Sequence, residues 1–297
     1  MKDKDRMRLT LLLGLAAAPL LGWANRRWFE PAADAARWSP MASGPARFLV
    51  YYGTRDHAAL SAYDVLVLDS DINPTIVRRI ARSGTPLGYL SLGEVHMGRS
   101  WATEIERQGL LLAPNPLWGE SRFIDLRDTR WRDRVTDELV PGILARGFTG
   151  LFLDTLDDAA HLESLDPARY TGMTAAAAEL VHAIRARFTE IPIMVNRGYS
   201  LLTQILPDID MVLGESVHTT YDVASQTYLP VASDAVRWQT SRLNEARRLK
   251  PSILLFSLDY WTPEDGRGIA RIYAQAESNG LIPYVATFDL TQIVPRS

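Results

Sequence analysis

Cysteine is absent from all 297 residues, which removes disulfides, thiolate metal sites and a cysteine nucleophile at once. Histidine is scarce. His57, His96, His161, His182 and His218 are the full set, and neither an HxH nor an HExxH spacing occurs, so the pattern of a zinc hydrolase is missing. No Gly-rich phosphate or dinucleotide loop follows any β-like run. No GxSxG elbow is present either, and Ser216 beside Glu215 lacks a histidine base in any recognised pattern. A basic excess is also lacking. With 32 Lys and Arg against 35 Asp and Glu the formal charge is −3, which argues against nucleic acid as a partner, because little is available to neutralise phosphates.

Long apolar runs are missing, with one short exception. "MKDKDRMR" carries basic residues and "LTLLLGLAAAPLLGWA" follows it, in the order of the n-region and h-region of a secretory signal. Gly22 and Ala24 place small residues at −3 and −1 for cleavage after Ala24. The run is short for a membrane span, which needs about 20 residues. The expectation is a signal peptide, or failing cleavage a membrane anchor, over residues 1–24. A linker over 25–45 and one domain over 46–297 follow, with the product periplasmic or secreted and tethered to the inner membrane only if the signal stays on.

What the sequence does contain is a rhythm. Apolar, β-rich runs recur at 47–52, 64–69, 86–94, 149–154, 191–196, 209–215, 252–259 and 282–289. Amphipathic segments such as "PTIVRRIARSG" and "TAAAAELVHAIRARF" lie between them. Near-continuous apolar strands alternating with helices mean parallel strands covered on their outer face. Eight such units predict an α/β fold, a (β/α)8 TIM barrel. A doubly wound open sheet is the competing arrangement.

The strand ends carry the chemistry. Tyr52, Asp69, Glu94, Asp154, Asn196, Glu215, Asp259 and Asp289 each close an apolar run. A barrel gathers the C-terminal ends of its strands on one face, where active sites are built. Asp69, Asp157 and Asp289 read first as helix caps. Asp154, Glu215 and Glu94 read as functional groups overhanging the mouth. Paired carboxyls of this kind hydrolyse glycosidic bonds, one protonated to donate to the leaving oxygen and one ionised to attack or to activate water. Crowding of like charges creates that division of labour with no cofactor. A metal-dependent hydrolase using Glu94, His96, Glu215 and His218 is a weaker alternative, and a non-catalytic polysaccharide-binding barrel is another. His182, on an amphipathic segment, reads as structural. Aromatic residues crowd the same ends: Tyr51, Tyr52, Trp101, Trp118, Tyr199, Tyr221, Tyr260 and Trp261. Flat rings suit the apolar faces of sugars, and Trp261 is the expected stacking platform. The candidate catalytic acids are thus Asp154, Glu215 and Glu94. Tyr52, Asp69, Glu94, Asp157, Asn196, Tyr221, Asp259 and Trp261 are the expected substrate contacts, with no metal site.

"FLVYYG", "GYLSLGEV", "FIDLRDTRWRDRV", "GFTGLFLDTLDDA", "IMVNRGY" and "VLGESV" occur in an order that resembles glycoside hydrolases of family 114 and the related family 166. Those families include secreted fungal endo-α-1,4-galactosaminidases and the hydrolase domain of bacterial Pel polysaccharide-modifying proteins. The resemblance covers about residues 46–290. It implies a (β/α)8 barrel that cleaves α-1,4-linked galactosamine or N-acetylgalactosamine polymers without metal. Asp154 would be the nucleophile, Glu215 the acid/base, Glu94 a subsite or supporting acid, and Asp125 a residue near the cleft. A partly deacetylated polymer is cationic, and a mouth carrying Glu94, Asp154, Asp157, Asp158, Glu215 and Asp259 would attract it.

Overall fold

Eight short strands occupy the eight apolar runs. They are β1 (Phe48–Tyr51), β2 (Val65–Leu68), β3 (Thr85–Ser91) and β4 (Gly150–Asp154), followed by β5 (Ile193–Asn196), β6 (Met211–Glu215), β7 (Leu254–Tyr260) and β8 (Ile282–Ala286). This is a computed structural model that describes residues 46–296. The expected signal or anchor over 1–24 and the linker over 25–45 lie outside the described residues.

The strands pair in parallel, each with its successor in sequence, from β1 through to β8. β8 returns beside β1. The Phe48 and Tyr284 rings are 6.4 Å apart, and just beyond the strand ends the backbone N–H of Tyr52 donates to the carbonyl of Leu290 at 2.8 Å. The result is a nearly closed (β/α)8 barrel. The open-sheet alternative fails on this order, since a doubly wound sheet reverses its strand order midway.

Both faces of each strand are buried, which is why the runs read as almost uninterrupted Val, Leu and Ile. Val65, Leu66, Val67 and Leu68 are all fully buried. Outside lie the helices. Pro74–Ile80 starts with Pro at its first turn and Asn73 accepting from the N–H of Thr75, a pre-organised N-terminus. Gly266–Ser278 turns Ile269, Ile272, Tyr273 and Ala276 inward, the i, i+3, i+4, i+7 stripe of a core-facing helix.

One excursion breaks the eightfold plan. The run 86–94 is not one strand. β3 stops at Ser91, and Glu94–His96 opens a separate three-stranded antiparallel sheet with Ser121–Ile124 and Leu111–Pro114. This sheet stands over the β3 side of the mouth. A helix from Thr129 to Ala145, with a π-turn at Val135–Leu139, returns the chain to β4. Trp131 locks that return: fully buried, its indole N–H donates to the carbonyl of Leu92 at 3.0 Å.

Candidate active site

β4, β5 and β6 end on Asp154, Asn196 and Glu215. Strand side chains alternate, so each of these points to the barrel axis with the residue two before it. The residue after each is left-handed without being glycine: Thr155 at φ 63°, Arg197 at 51° and Ser216 at 53°. Such backbone costs on the order of 1–3 kcal/mol per residue and persists only where the surroundings enforce it. Here it turns the chain away sharply once the functional side chain has been delivered to the mouth.

Asn196 joins the two acids. Its Nδ2 donates to Asp154 Oδ1 at 2.9 Å and to Glu215 Oε2 at 2.6 Å. The two oxygens are therefore no further apart than those bonds laid end to end, about 5.5 Å, within reach of opposite sides of one sugar linkage. Asp154 accepts two further hydrogen bonds, from the backbone N–H of Thr155 at 2.8 Å and from the Tyr89 hydroxyl. Glu215 accepts from the Tyr260 hydroxyl at 2.5 Å. Burial first, and the charge of Glu215 second, push the Asp154 carboxyl up to about 6 against the lowering effect of its donors.

Three phenols wall the pair. Tyr52, Tyr89 and Tyr260 are each raised well above the ordinary tyrosine range, by burial first and then by neighbouring groups that include Asp154. They remain neutral donors at any working pH. The Tyr52 and Tyr89 rings meet edge-on with centroids 5.2 Å apart.

A second ring of charge surrounds this centre. Asp157 faces Arg197 at 3.0 Å and accepts from the N–H groups of Gly198 and Tyr199, while burial raises its carboxyl. It therefore acts as a loop cap and ion-pair partner beside the mouth. Glu94 is buried and accepts from the Asn115 amide. Asp158 lies against Glu94, and burial together with that neighbour raises the Asp158 carboxyl well above the ordinary range. Glu94 is thus a supporting acid at the start of the side sheet, not the end of a barrel strand. Thr155 ties the two walls together: its hydroxyl lies 2.8 Å from Ser91 Oγ and accepts from Gly93 N at 2.8 Å.

Other expected contacts lie elsewhere. Asp259 is fully buried and points outward, because β7 continues one residue past it and Tyr260 takes the inward position. Its Oδ1 accepts from the N–H groups of His218 and Thr219 at 2.6 and 2.9 Å, and its Oδ2 faces His218 Nδ1 at 3.3 Å. It fixes the loop behind Glu215. Trp261 turns to the flank, donating to Asp265 at 3.0 Å, and does not line the mouth. Asp69 is held by Arg99 at 3.1 Å and by the N–H of Asp71 at 2.7 Å. Asp125 pairs with Arg127 at 2.7 Å, and Asp289 accepts from Thr287 and Thr291. His96 pairs with Glu120 at 3.2 Å, so the four side chains of the metal alternative do not converge. Among the described residues no group of three or more His, Asp and Glu is set out to hold a metal.

A wall of stacked aromatics is built from different rings. Phe288 is stacked between Tyr221, centroids 4.5 Å apart at 19°, and Trp118, 5.9 Å at 17°. Phe288 also meets Tyr260 edge-on at 5.7 Å. Tyr221 is the one member named from sequence as a contact. Trp118, 54% exposed, forms the exposed end of the wall. Trp101 packs on Trp131 and Tyr199 donates to buried Gln239, so both are structural. Sequence reasoning missed Tyr89, Arg99, Arg197, Phe288 and the role of Tyr260. Tyr89 was available from alternation alone, two residues before the strand end at Ser91.

A parallel barrel with a bridged carboxyl pair at the C-terminal ends of β4 and β6 is the architecture of a carbohydrate-cleaving enzyme. The profile of glycoside-hydrolase family GH114 matches residues 29–297. The chain belongs to that family and is a glycoside hydrolase. The glycoside hydrolase domain of PelA from Pseudomonas aeruginosa superimposes with a TM-score of 0.75 at 27% identity, covering 85% of this chain and 99% of that one. Aspergillus fumigatus Ega3, solved in complex with galactosamine, shares the fold at 14% identity, with a TM-score of 0.60 over 84% of this chain and 94% of that chain. An uncharacterized protein of Thermotoga maritima is 25% identical over 256 residues, 77% of this chain and 76% of its own length.

Proposed function

We propose that the enzyme is exported and cleaves α-1,4-linked galactosamine or N-acetylgalactosamine polymers with retention of configuration. The observation that carries this reading is the Asn196 amide bridging Asp154 and Glu215. A spacing of about 5–5.5 Å suits direct attack, whereas an inverting pair sits about 6.5–9.5 Å apart to admit a water.

Asp154 is assigned as nucleophile because three donors fix its orientation and partly offset the burial and the Glu215 charge that raise its carboxyl. Its oxygen forms a bond to the anomeric carbon as the glycosidic C–O bond breaks, and the Glu215 proton passes to the leaving oxygen. Glu215, now ionised, takes a proton from water. The water oxygen then bonds to the same carbon and the Asp154 ester breaks, restoring both acids. Tyr260, donating to Glu215, holds that carboxyl through both steps.

The substrate class is supported by charge and by rings. Asp154, Asp157, Glu94 and Glu215 stand around the mouth region against Arg99 and Arg197, while Asp158 is pushed towards its neutral form, a balance that draws in a cationic amino sugar. The Tyr221–Phe288–Trp118 wall offers flat faces beside the acids. Ega3 was solved with galactosamine, and the PelA domain shares more than a quarter of its residues with this chain.

The test is a panel of defined galactosamine, N-acetylgalactosamine and glucosamine oligomers, with products identified by mass. Cleavage of the galacto-configured oligomers is expected. Release from the glucosamine series alone, or binding with no release, would overturn the reading. Export is tested separately by N-terminal sequencing of protein secreted from its host, with Asn25 expected as the first residue.

A further inference from the structure

Glu94 and Asp158 form a titratable pair that the catalytic steps leave unused. Glu94 opens the side sheet at Glu94–His96, and Asp158 lies in the first turn of the helix Asp157–Leu165, which follows β4. Their carboxyls are hydrogen-bonded to each other. Two carboxylates can only accept, so one member of such a pair must carry a proton. Glu94 Oε1 already accepts from the Asn115 amide, whereas Asp158 Oδ2 is buried and receives no hydrogen bond. A proton on Asp158 turns that orphan acceptor into a donor and leaves Glu94 as the acceptor of both bonds.

Burial first, and the Glu94 charge second, raise the Asp158 carboxyl in the same direction, with Asp154 from β4 and Asp157 from the same helix adding to it. Tyr89 from β3 also faces Glu94. His161, one turn along the helix from Asp158, stands against Phe123, the cross-strand partner of Glu94. The nearby guanidinium groups are engaged elsewhere, Arg197 with Asp157 and Arg99 with Asp69 and Asp71.

What this pair holds is a loop. Asn115 is buried, and its Oδ1 accepts the N–H of Leu117 at 2.8 Å. Its backbone N–H donates to the Ser121 carbonyl at 2.9 Å, and the Ser121 N–H donates to the Trp118 carbonyl at 2.7 Å. From this loop Trp118 stacks on Phe288, which meets Tyr260, the donor to Glu215. A continuous series of contacts thus runs from Asp158 through Glu94, Asn115 and the loop to the tyrosine that holds Glu215.

We propose that Asp158 and Glu94 share one proton and act as a positioning clasp, which through Asn115 holds the Trp118 loop against Phe288 for polymer binding. Loss of the proton sets two buried carboxylates against each other and releases the loop. The closed loop keeps a proton that the open one gives up, so closure weakens as pH rises. The link to polymer binding rests on the aromatic wall proposed above, and the clasp itself does not.

The experiment is hydrogen exchange by mass spectrometry on the peptide covering residues 111–124, the two outer strands of the side sheet and the loop between them. Rates are compared between about pH 7 and 9.5, after correction for the intrinsic pH dependence of exchange. This window lies above the Asp154 value of about 6. Wild type should lose about tenfold in protection across it. Asp158→Asn keeps a donor to Glu94 with no proton to lose, and its protection should stay level. Glu94→Gln supplies an amide donor to Asp158 in turn and should also stay level, which keeps the test open if the Asp158 variant does not fold. Asp158→Ala should be unprotected at every pH. Level protection in wild type, an equal pH response in Asp158→Asn or Glu94→Gln, or wild-type protection in Asp158→Ala would overturn the clasp. KM for polymer should rise several-fold across the window in wild type and stay level in Asp158→Asn. A KM that moves alike in both, while the loop opens only in wild type, would overturn the link to polymer binding. Exchange needs no substrate, so that readout stands whatever polymer the enzyme cleaves.

Discussion

At the scale of single residues, Asn196 is the smallest group that joins the two proposed catalytic acids. It donates to both acids, and its hydrogen bond to Asp154 works against the upward push of burial and of Glu215. Removing it as Asn196→Ala takes away a donor that favours the ionised nucleophile. The ascending limb of kcat/KM, expected near the Asp154 value of about 6, should move to higher pH, and the rate should fall on the order of 10²-fold. An unmoved limb in the pH–rate profile would contradict the assignment. Stability gives an independent check. The folded-state pKa of Asp154 lies above its unfolded value, so the folded chain takes up a proton on this group that the unfolded chain does not. The buried charge therefore destabilises the fold above pH 6, and the penalty disappears as pH falls through 6 towards 3.8. Asp154→Asn should melt higher than wild type at pH 7.5, by on the order of 1–3 kcal/mol, with the gap closing near pH 4. Activity should be lost in the same protein. Asp154, Asn196 and Glu215 were legible because each is a polar residue directly ending an apolar run. Asp259 looked identical in sequence. It differs because β7 runs one residue further, and a shift of one position exchanges the inward and outward faces.

At the scale of elements, the site is held by the exits of β3 and β4. Thr155 sits in left-handed backbone with its hydroxyl bonded to Ser91 and Gly93. Gly93 lies so close that a Cβ there would stand 2.4 Å from the Thr155 carbonyl. Gly93→Ala should push the two exits apart, lowering stability by about 1–3 kcal/mol. It should cut kcat while the far strands stay ordered, readable by circular dichroism and hydrogen exchange. Wild-type turnover in that variant would show that the exits do not set the catalytic geometry. Trp118, on the connection between Leu111–Pro114 and Ser121–Ile124 of the side sheet, tests the aromatic wall. Trp118→Ala should raise KM for long polymer several-fold, on the order of 1 kcal/mol, with little change in kcat on a short activated glycoside. The eight strands were readable because both faces of each are buried. The side sheet was not, since "GYLSLGE" is apolar through the point where β3 ends, and only the antiparallel partners Leu111–Pro114 and Ser121–Ile124 reveal the break. The flank position of Trp261 was unreadable for a related reason. Adjacency to a strand end does not say which side of the barrel a ring turns to.

At the scale of the whole molecule, a chain of formal charge −3 concentrates several of its acids around one mouth. Attraction of a cationic polymer over that distance is screened by salt, with a Debye length of about 10 Å at 0.1 M and about 3 Å at 1 M. KM for deacetylated polymer should therefore rise several-fold between about 0.05 and 0.5 M salt, whereas KM for the fully acetylated polymer should change little. Parallel behaviour of the two substrates would remove electrostatic steering from the account. What unites the three scales is the proposed attack by one carboxyl, and it can be caught. Incubation with a 5-fluoro-α-galactosaminyl fluoride, followed by peptide mass spectrometry, should show one sugar esterified to Asp154. An adduct on Asp157 or another acid, or steady turnover of α-linked substrate with an inverted first product and no adduct at all, would contradict it.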